Sequence, residues 1–254
     1  MASTSSGNAW TRFCAQAEED GLTVRWVVSR ERIDPHFAPI AGGGARLAPS
    51  DLYPGYRRAV LLGSGGGTFW QHFSGDGTRL ASLRPDPLDR YTEERAEALL
   101  AILKEDDPGA TAAYPFRHLH QILPFLGLTQ DLPFLRTAPF GVTIDPVHGP
   151  WFAWRAVVLT AAVYLESEFP AEAACAACAA PCEAACPVGA VHREGFRWRD
   201  CTDHRVATEP CRETCLAREA CPVGTASRYP RSEIRYHHRQ SLLKIRKAWR
   251  ATSG

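Results

Sequence analysis

Eight of the nine cysteines in this 254-residue chain fall between Cys175 and Cys221, and only Cys14 lies elsewhere. Thiols packed this densely are joined as disulfides, ligated to metal, or simply buried, and a chain carrying them folds around that choice. The opening residues, Met1-Ala-Ser-Thr-Ser-Ser-Gly7, hold neither a basic n-region nor an apolar h-region. Nothing there directs the chain to an oxidising compartment, so the expectation is a cytoplasmic protein whose thiols stay reduced. Clustered thiols in a reducing cell point to metal. Two zinc sites of four cysteines each satisfy the count, although the paired C-x2-C knuckles common in such sites are absent.

The spacing narrows the choice. The first group runs Cys175-Ala-Ala-Cys178-Ala-Ala-Pro-Cys182-Glu-Ala-Ala-Cys186-Pro187, and the second contributes Cys201, Cys211, Cys215 and Cys221-Pro222. Both groups close on Cys-Pro-Val-Gly, at Cys186 to Gly189 and at Cys221 to Gly224, which reads as an internal duplication. Two halves that each donate four sulfurs resemble a two-cluster ferredoxin, whose bacterial run is C-x2-C-x2-C-x3-C-P with the fourth cysteine serving the other cluster. The first group here is one residue longer in its second gap, and the second group is looser, C-x9-C-x3-C-x5-C-P. By position on that pattern, Cys175, Cys178, Cys182 and Cys221 form one 4Fe-4S set. Cys201, Cys211, Cys215 and Cys186 form the other.

Hydrophobic residues make up 45% and charged residues 22% of the chain, an ordinary globular composition. A formal net charge of +1 gives no bulk electrostatic reason to expect a nucleic-acid partner. The longest apolar run, Ala156 to Leu165, is too short to span a bilayer, so no membrane partner is expected.

Up to about Pro170 the chain reads as a separate domain. Val24 to Val28 and Arg58 to Leu62 read as strands, and Gly63-Ser-Gly-Gly-Gly67 reads as a tight loop before a helix starting at Thr68. Lacking a Gly-Lys-Ser/Thr ending, this loop is better explained as a turn than as a phosphate cradle. Thr92 to Lys104 reads as an amphipathic helix capped by Thr92. His118-x-His120 reads as core or surface, not as a ligand pair. Ser232 to Arg250 reads as a basic amphipathic helix, suited to docking, with an acidic redox partner or an RNA backbone as the functional alternative.

The stretch Ile144-Asp-Pro-Val-His-Gly-Pro-Trp-Phe-Ala-Trp-Arg-Ala-Val-Val-Leu159 places a Pro/Gly loop and an aromatic cluster before an apolar strand with one arginine, Arg155. It resembles the cobalamin-processing chaperones of the cblC type, which have a Gly-Gly-Trp-Phe-Ala core followed by Arg and a Val-Val-Leu strand. Asp86-Pro-Leu-Asp89 and Phe196-Arg-Trp-Arg-Asp200 agree in order, so the resemblance is spread over roughly residues 55 to 205 in short matches.

The resemblance implies an α+β chain with a nitroreductase-like (cblC-type) N-terminal domain and a C-terminal ferredoxin-like iron-sulfur module. Epoxyqueuosine reductases and reductive dehalogenases are similar in joining these two parts. The expected division is a corrinoid-chaperone-like domain at 1–170, a two-cluster module at 171–228 and the basic helix at 229–254. Trp151 and Phe152 are implied as the wall of a cofactor pocket, and Arg155 as a contact for an anionic ligand. The family's histidine is replaced by Asp145 and its tryptophan by Cys201, which argues against glutathione chemistry; no residue matches the catalytic acid of the epoxyqueuosine reductases. The function so implied is an oxidoreductase passing electrons from two 4Fe-4S clusters to a corrinoid, cobalamin being the cofactor, with a small-molecule corrinoid or redox substrate and a redox partner protein. A ferredoxin-like carrier without corrinoid, or a flavin-binding reductase, is the alternative.

Overall fold

The computed structural model describes residues 6–34, 48–75, 86–116, 135–169, 175, 177–209 and 211–252. The chain divides into two compact units, the first formed by 1–131 and 153–169 and the second by 132–152 and 170–254. Residues 132–152 and the C-terminal helix fall in the same unit as the cysteine-rich part.

The first unit is built on a four-stranded sheet in the order β1-β2-β6-β3. Its strands are β1 (Val24–Ser29), β2 (Arg58–Gly65), β3 (Thr111–Ala113) and β6 (Phe152–Thr160, from Ala153 onward in this unit). Valine, tryptophan and leucine dominate β1, β2 and β6, as half-buried pleated surfaces favour. β2 and β6 are the central strands and are buried almost throughout, whereas the short edge strand β3 is only half-buried. β1 pairs antiparallel with β2 from Val24 opposite Gly63 to Ser29 opposite Arg58, and β3 pairs antiparallel with β6.

The helices of this unit are α1 (Ser6–Glu19), the single turns α2 (Arg30–Ile33) and α3 (Pro49–Leu52), α4 (Thr68–Gly75) and α5 (Pro87–Leu103). Phe13, Phe69, Phe73, Leu99 and Leu103 are wholly buried on the helices. Two sequence expectations are corrected here. The glycine run is mostly strand: β2 continues through Gly65, and only Gly66, at φ +69°, and Gly67 bend the chain into α4. Gly63 lies against the Ala153 carbonyl and the Val24 side chain, where a Cβ would sit 3.1 and 3.2 Å away. Nor does Thr92 cap a helix. α5 starts five residues earlier, with Pro87 in the first turn, where its missing N–H costs nothing. Thr92 is buried mid-helix, and its hydroxyl donates to the Leu88 carbonyl at 2.9 Å. The His118–His120 pair lies outside the described residues.

The second unit holds two small hairpins, β4 (Arg136–Thr137) with β5 (Thr143–Ile144) and β7 (Val191–His192) with β8 (Gly195–Phe196). Short helices α6 (Pro181–Ala185), α7 (Trp198–Ala207) and α8 (Leu216–Glu219) precede the long α9 (Arg231–Thr252). One of its cores gathers Phe140, Ile144, Val191 and Ala217 with Cys182 and Cys221, and another gathers Trp151, Tyr229 and Ile234. Among the described residues, no helix is long and apolar enough to cross a membrane.

Candidate iron-sulfur centres

Two cavities in the second unit sort the eight cysteines. Cys175, Cys178, Cys182 and Cys221 line one of about 330 Å³, together with Pro181, Pro222 and the arginines Arg136 and Arg193. Cys186, Cys201, Cys211 and Cys215 line the other, of about 280 Å³. Each cavity thus takes three cysteines from one half of the duplication and one from the other half. Among the described residues, no three His, Cys, Asp or Glu side chains converge closely enough for a single metal ion.

Local structure explains how each thiol reaches its cavity. Pro181 opens α6, which points Cys182 inward, and the helix ends at Cys186, whose extended backbone carries its side chain toward the other cavity. The N–H of Ala180 donates to Cys178 Sγ at 3.4 Å, and that of Ala190 donates to Cys186 Sγ at 3.3 Å. Cys201 sits on α7, and Cys215 immediately precedes α8.

Burial pushes the Cys175 thiol up to about 11, and the negative charge of Cys221, Cys178 and Cys182 pushes in the same direction. Cys201 is likewise raised to about 11 by burial, with Cys215, Cys186 and Cys211 adding to it. Cys182, Cys211, Cys215 and Cys221 are raised as well, burial being the leading cause in each case. Thiols that share a partly buried cavity repel one another as thiolates. A polynuclear cation core relieves that repulsion by displacing the protons and bonding every sulfur, so these donor sets fit one.

Sequence reasoning did not find the cations at the second cavity. Arg205 and Arg218 line it, with His204, His237 and His238. Their signal was present: Arg205 follows Cys201 by one helical turn on α7, and Arg218 follows Cys215 by three residues. Burial, followed by the charges of Arg205 and Arg218, holds His238 down at about 4, so its ring is neutral near pH 7. The Arg218 guanidinium lies 4.5 Å over the Trp151 ring and 5.0 Å over Tyr229, and donates to the Pro150 carbonyl.

The stretch from Ile144 to Leu159, which the sequence presents as one motif, is shared between the units. Trp151 and Phe152 belong to the second. Trp151 is wholly buried, edge-on to Tyr229, and Phe152 is buried at the start of β6. Asp145 accepts the N–H groups of Val147 and His148 and so shapes the loop before them. Arg155 belongs to the first unit, where it is buried on β6. Its Nε donates to Ser64 Oγ at 2.8 Å and its guanidinium lies 4.7 Å over Phe69, while Nη2 is buried with no hydrogen-bond partner.

No known family profile and no curated protein matches the chain. Solved structures do. An epoxyqueuosine reductase bound to an epoxyqueuosine-modified tRNA-Tyr stem loop superposes with a TM-score of 0.56 at 12% identity, covering 90% of this chain and 69% of that one. The epoxyqueuosine reductase of Streptococcus thermophilus gives 0.55 at 10% identity, covering 88% and 68%. The C. elegans B12-trafficking protein CblC gives 0.50 at 12% identity and covers 92% of each chain. The fold is therefore a mixed α+β one resembling the epoxyqueuosine reductases and CblC.

Proposed function

We propose that this chain is an iron-sulfur oxidoreductase that passes electrons from two 4Fe-4S clusters to a corrinoid. One observation carries the reading: two separate cavities, each lined by four cysteines drawn crosswise from the two halves of the duplication. Cys175, Cys178, Cys182 and Cys221 would hold one cluster, and Cys186, Cys201, Cys211 and Cys215 the other. Bound there, such clusters supply single electrons at potentials that the surrounding protein tunes. The chain's own contribution is to bury the thiols, to donate backbone N–H groups to Cys178 and Cys186, and to place arginines around the second set. Chain purified without oxygen is expected to be brown and to contain about eight iron and about eight acid-labile sulfide, four of each per cluster. Zinc without sulfide would overturn the assignment.

The corrinoid half of the proposal draws on the fold shared with CblC and the epoxyqueuosine reductases, and on the unpaired Nη2 of Arg155. That nitrogen suits a polar or anionic group of a bound molecule, since a buried cationic donor left without an acceptor is costly. Arg155→Ala is expected to weaken turnover or co-substrate binding while cobalamin remains bound, read by titrating cobalamin and following its visible spectrum. A wild-type chain that binds no cobalamin at tens of micromolar, roughly the weak end of specific cofactor affinity, would remove the corrinoid. The bare electron carrier would then be left, or a flavin protein if flavin copurifies. The enclosure of Trp151 within the second unit's own core favours the carrier as the second reading, because that ring is already in use.

A further inference from the structure

The two cysteine sets sit in different electrostatic surroundings. Around Cys186, Cys201, Cys211 and Cys215 stand Arg205 and Arg218, and the Nε of each is buried without a hydrogen-bond partner. The guanidinium of Arg205 is held from α9, by Ser241 Oγ and the His238 carbonyl, each at 3.4 Å. Arg218 is held by Pro150, Trp151 and Tyr229. Two carboxylates near this cavity, Glu213 and Glu233, have basic side chains beside them. Glu213, between Cys211 and Cys215, meets Arg235 at 3.0 Å and Arg239 at 3.4 Å, and Glu233 meets His237 at 3.6 Å.

Around Cys175, Cys178, Cys182 and Cys221 the lining cations are Arg136 and Arg193. The Arg193 guanidinium is exposed and donates to the Cys178 carbonyl. Among the described residues, none of that cavity's lining side chains has a buried unpaired donor. Two of its thiols, Cys182 and Cys221, are buried, against Cys211 alone in the other set.

Reduction adds one electron to a cluster, breaks no bond, and makes the cluster more negative. A nearby fixed cation and an N–H aimed at sulfur stabilise the added charge, and burial opposes it. The buried cations favour the Cys186 set, whereas the N–H effect does not separate the sets, because each receives one such donor. We infer that Arg205 and Arg218 give the set of Cys186, Cys201, Cys211 and Cys215 the higher reduction potential of the two, so that it fills first when an external low-potential donor delivers electrons. The inference rests on the two-cluster reading above.

The test is a potentiometric titration with dithionite of the reconstituted full chain, followed by EPR. The signals are assigned with Cys186→Ser and Cys221→Ser, each of which alters one set. The Cys186 set should reduce first. Arg205→Gln should make its reduction at least about tenfold less favourable, about 59 mV for one electron, and leave the other set unmoved. Arg205→Lys, which keeps the charge, should restore most of the loss. Ser241→Ala, which removes only the hydroxyl that steadies Arg205, should shift the same signal in the same direction and provides the reading if Arg205→Gln assembles poorly. Reduction of the Cys175 set first, equal potentials, or equal shifts in both signals would overturn the inference and leave the two-cluster reading standing. A chain that takes up no iron or sulfide would overturn both.

Discussion

Gly224→Ala is expected to prevent assembly of the second unit, whereas Gly189→Ala, at the equivalent place in the repeat, should be tolerated. The two glycines close the two Cys-Pro-Val-Gly sequences, and both adopt positive φ, +65° and +57°. An alanine in that region costs roughly 1–2 kcal/mol through its Cβ alone. At Gly189 that is nearly the whole cost, since a Cβ would meet only an Arg197 guanidinium nitrogen at 3.6 Å. At Gly224 a Cβ would lie 2.1 Å from the carbonyl carbon and oxygen of His148, and one on Gly149 would lie 2.2 Å from the Val223 carbonyl oxygen. Backbone meets backbone there, with no flexible side chain to give way. Separating the two strands of chain also strains the Asp145 turn and the packing of Trp151, so a loss above about 4 kcal/mol is expected. Denaturant unfolding of the reconstituted protein, together with its iron content, measures both variants. Similar stabilities for the two would show that the contact between residues 148–149 and 223–224 is absent.

If the proposed two-cluster reading holds, Cys186→Ala and Cys221→Ala should each remove the cluster whose other ligands come from the opposite half of the sequence. Cys221 lines the cavity of Cys175, Cys178 and Cys182, and Cys186 lines that of Cys201, Cys211 and Cys215. With three thiolates remaining, a cluster loses an iron or is not retained, so iron should fall from about eight to between about four and seven per chain. The informative result is which EPR signal disappears. Loss of the Cys175-set signal in Cys186→Ala would mean that each half closes its own cluster and that the crossed assignment is wrong.

Part of this organisation was legible in the chain. The strands at Val24 and Arg58 and the helix at Thr68 follow from local pattern, since alternating β-branched and aromatic residues and a short breaker act over a few positions. The start of α5 was misplaced because Thr92 offers a capping side chain, yet Pro87 fits the first turn and burial keeps Thr92 inside the helix. The division of the Ile144–Leu159 stretch between two units was not legible. Along the sequence it is continuous, and only the packing of Gly149 on Val223 and of Arg155 on Ser64 separates its halves.

The sequence by itself determined the inventory of sulfur donors and their duplication, because ligand type and spacing are local chemistry; the crossed pairing is what the resemblance to a two-cluster ferredoxin implies. Only the tertiary structure decided which charges face those sulfurs. Arg205 and Arg218 are two of many arginines in the chain, and what distinguishes them is that Ser241, Pro150 and Trp151, distant in sequence, hold their guanidinium groups while their Nε atoms stay buried at the cavity. Electrostatic energy depends on distance and on exclusion of water, and neither is written in the order of residues.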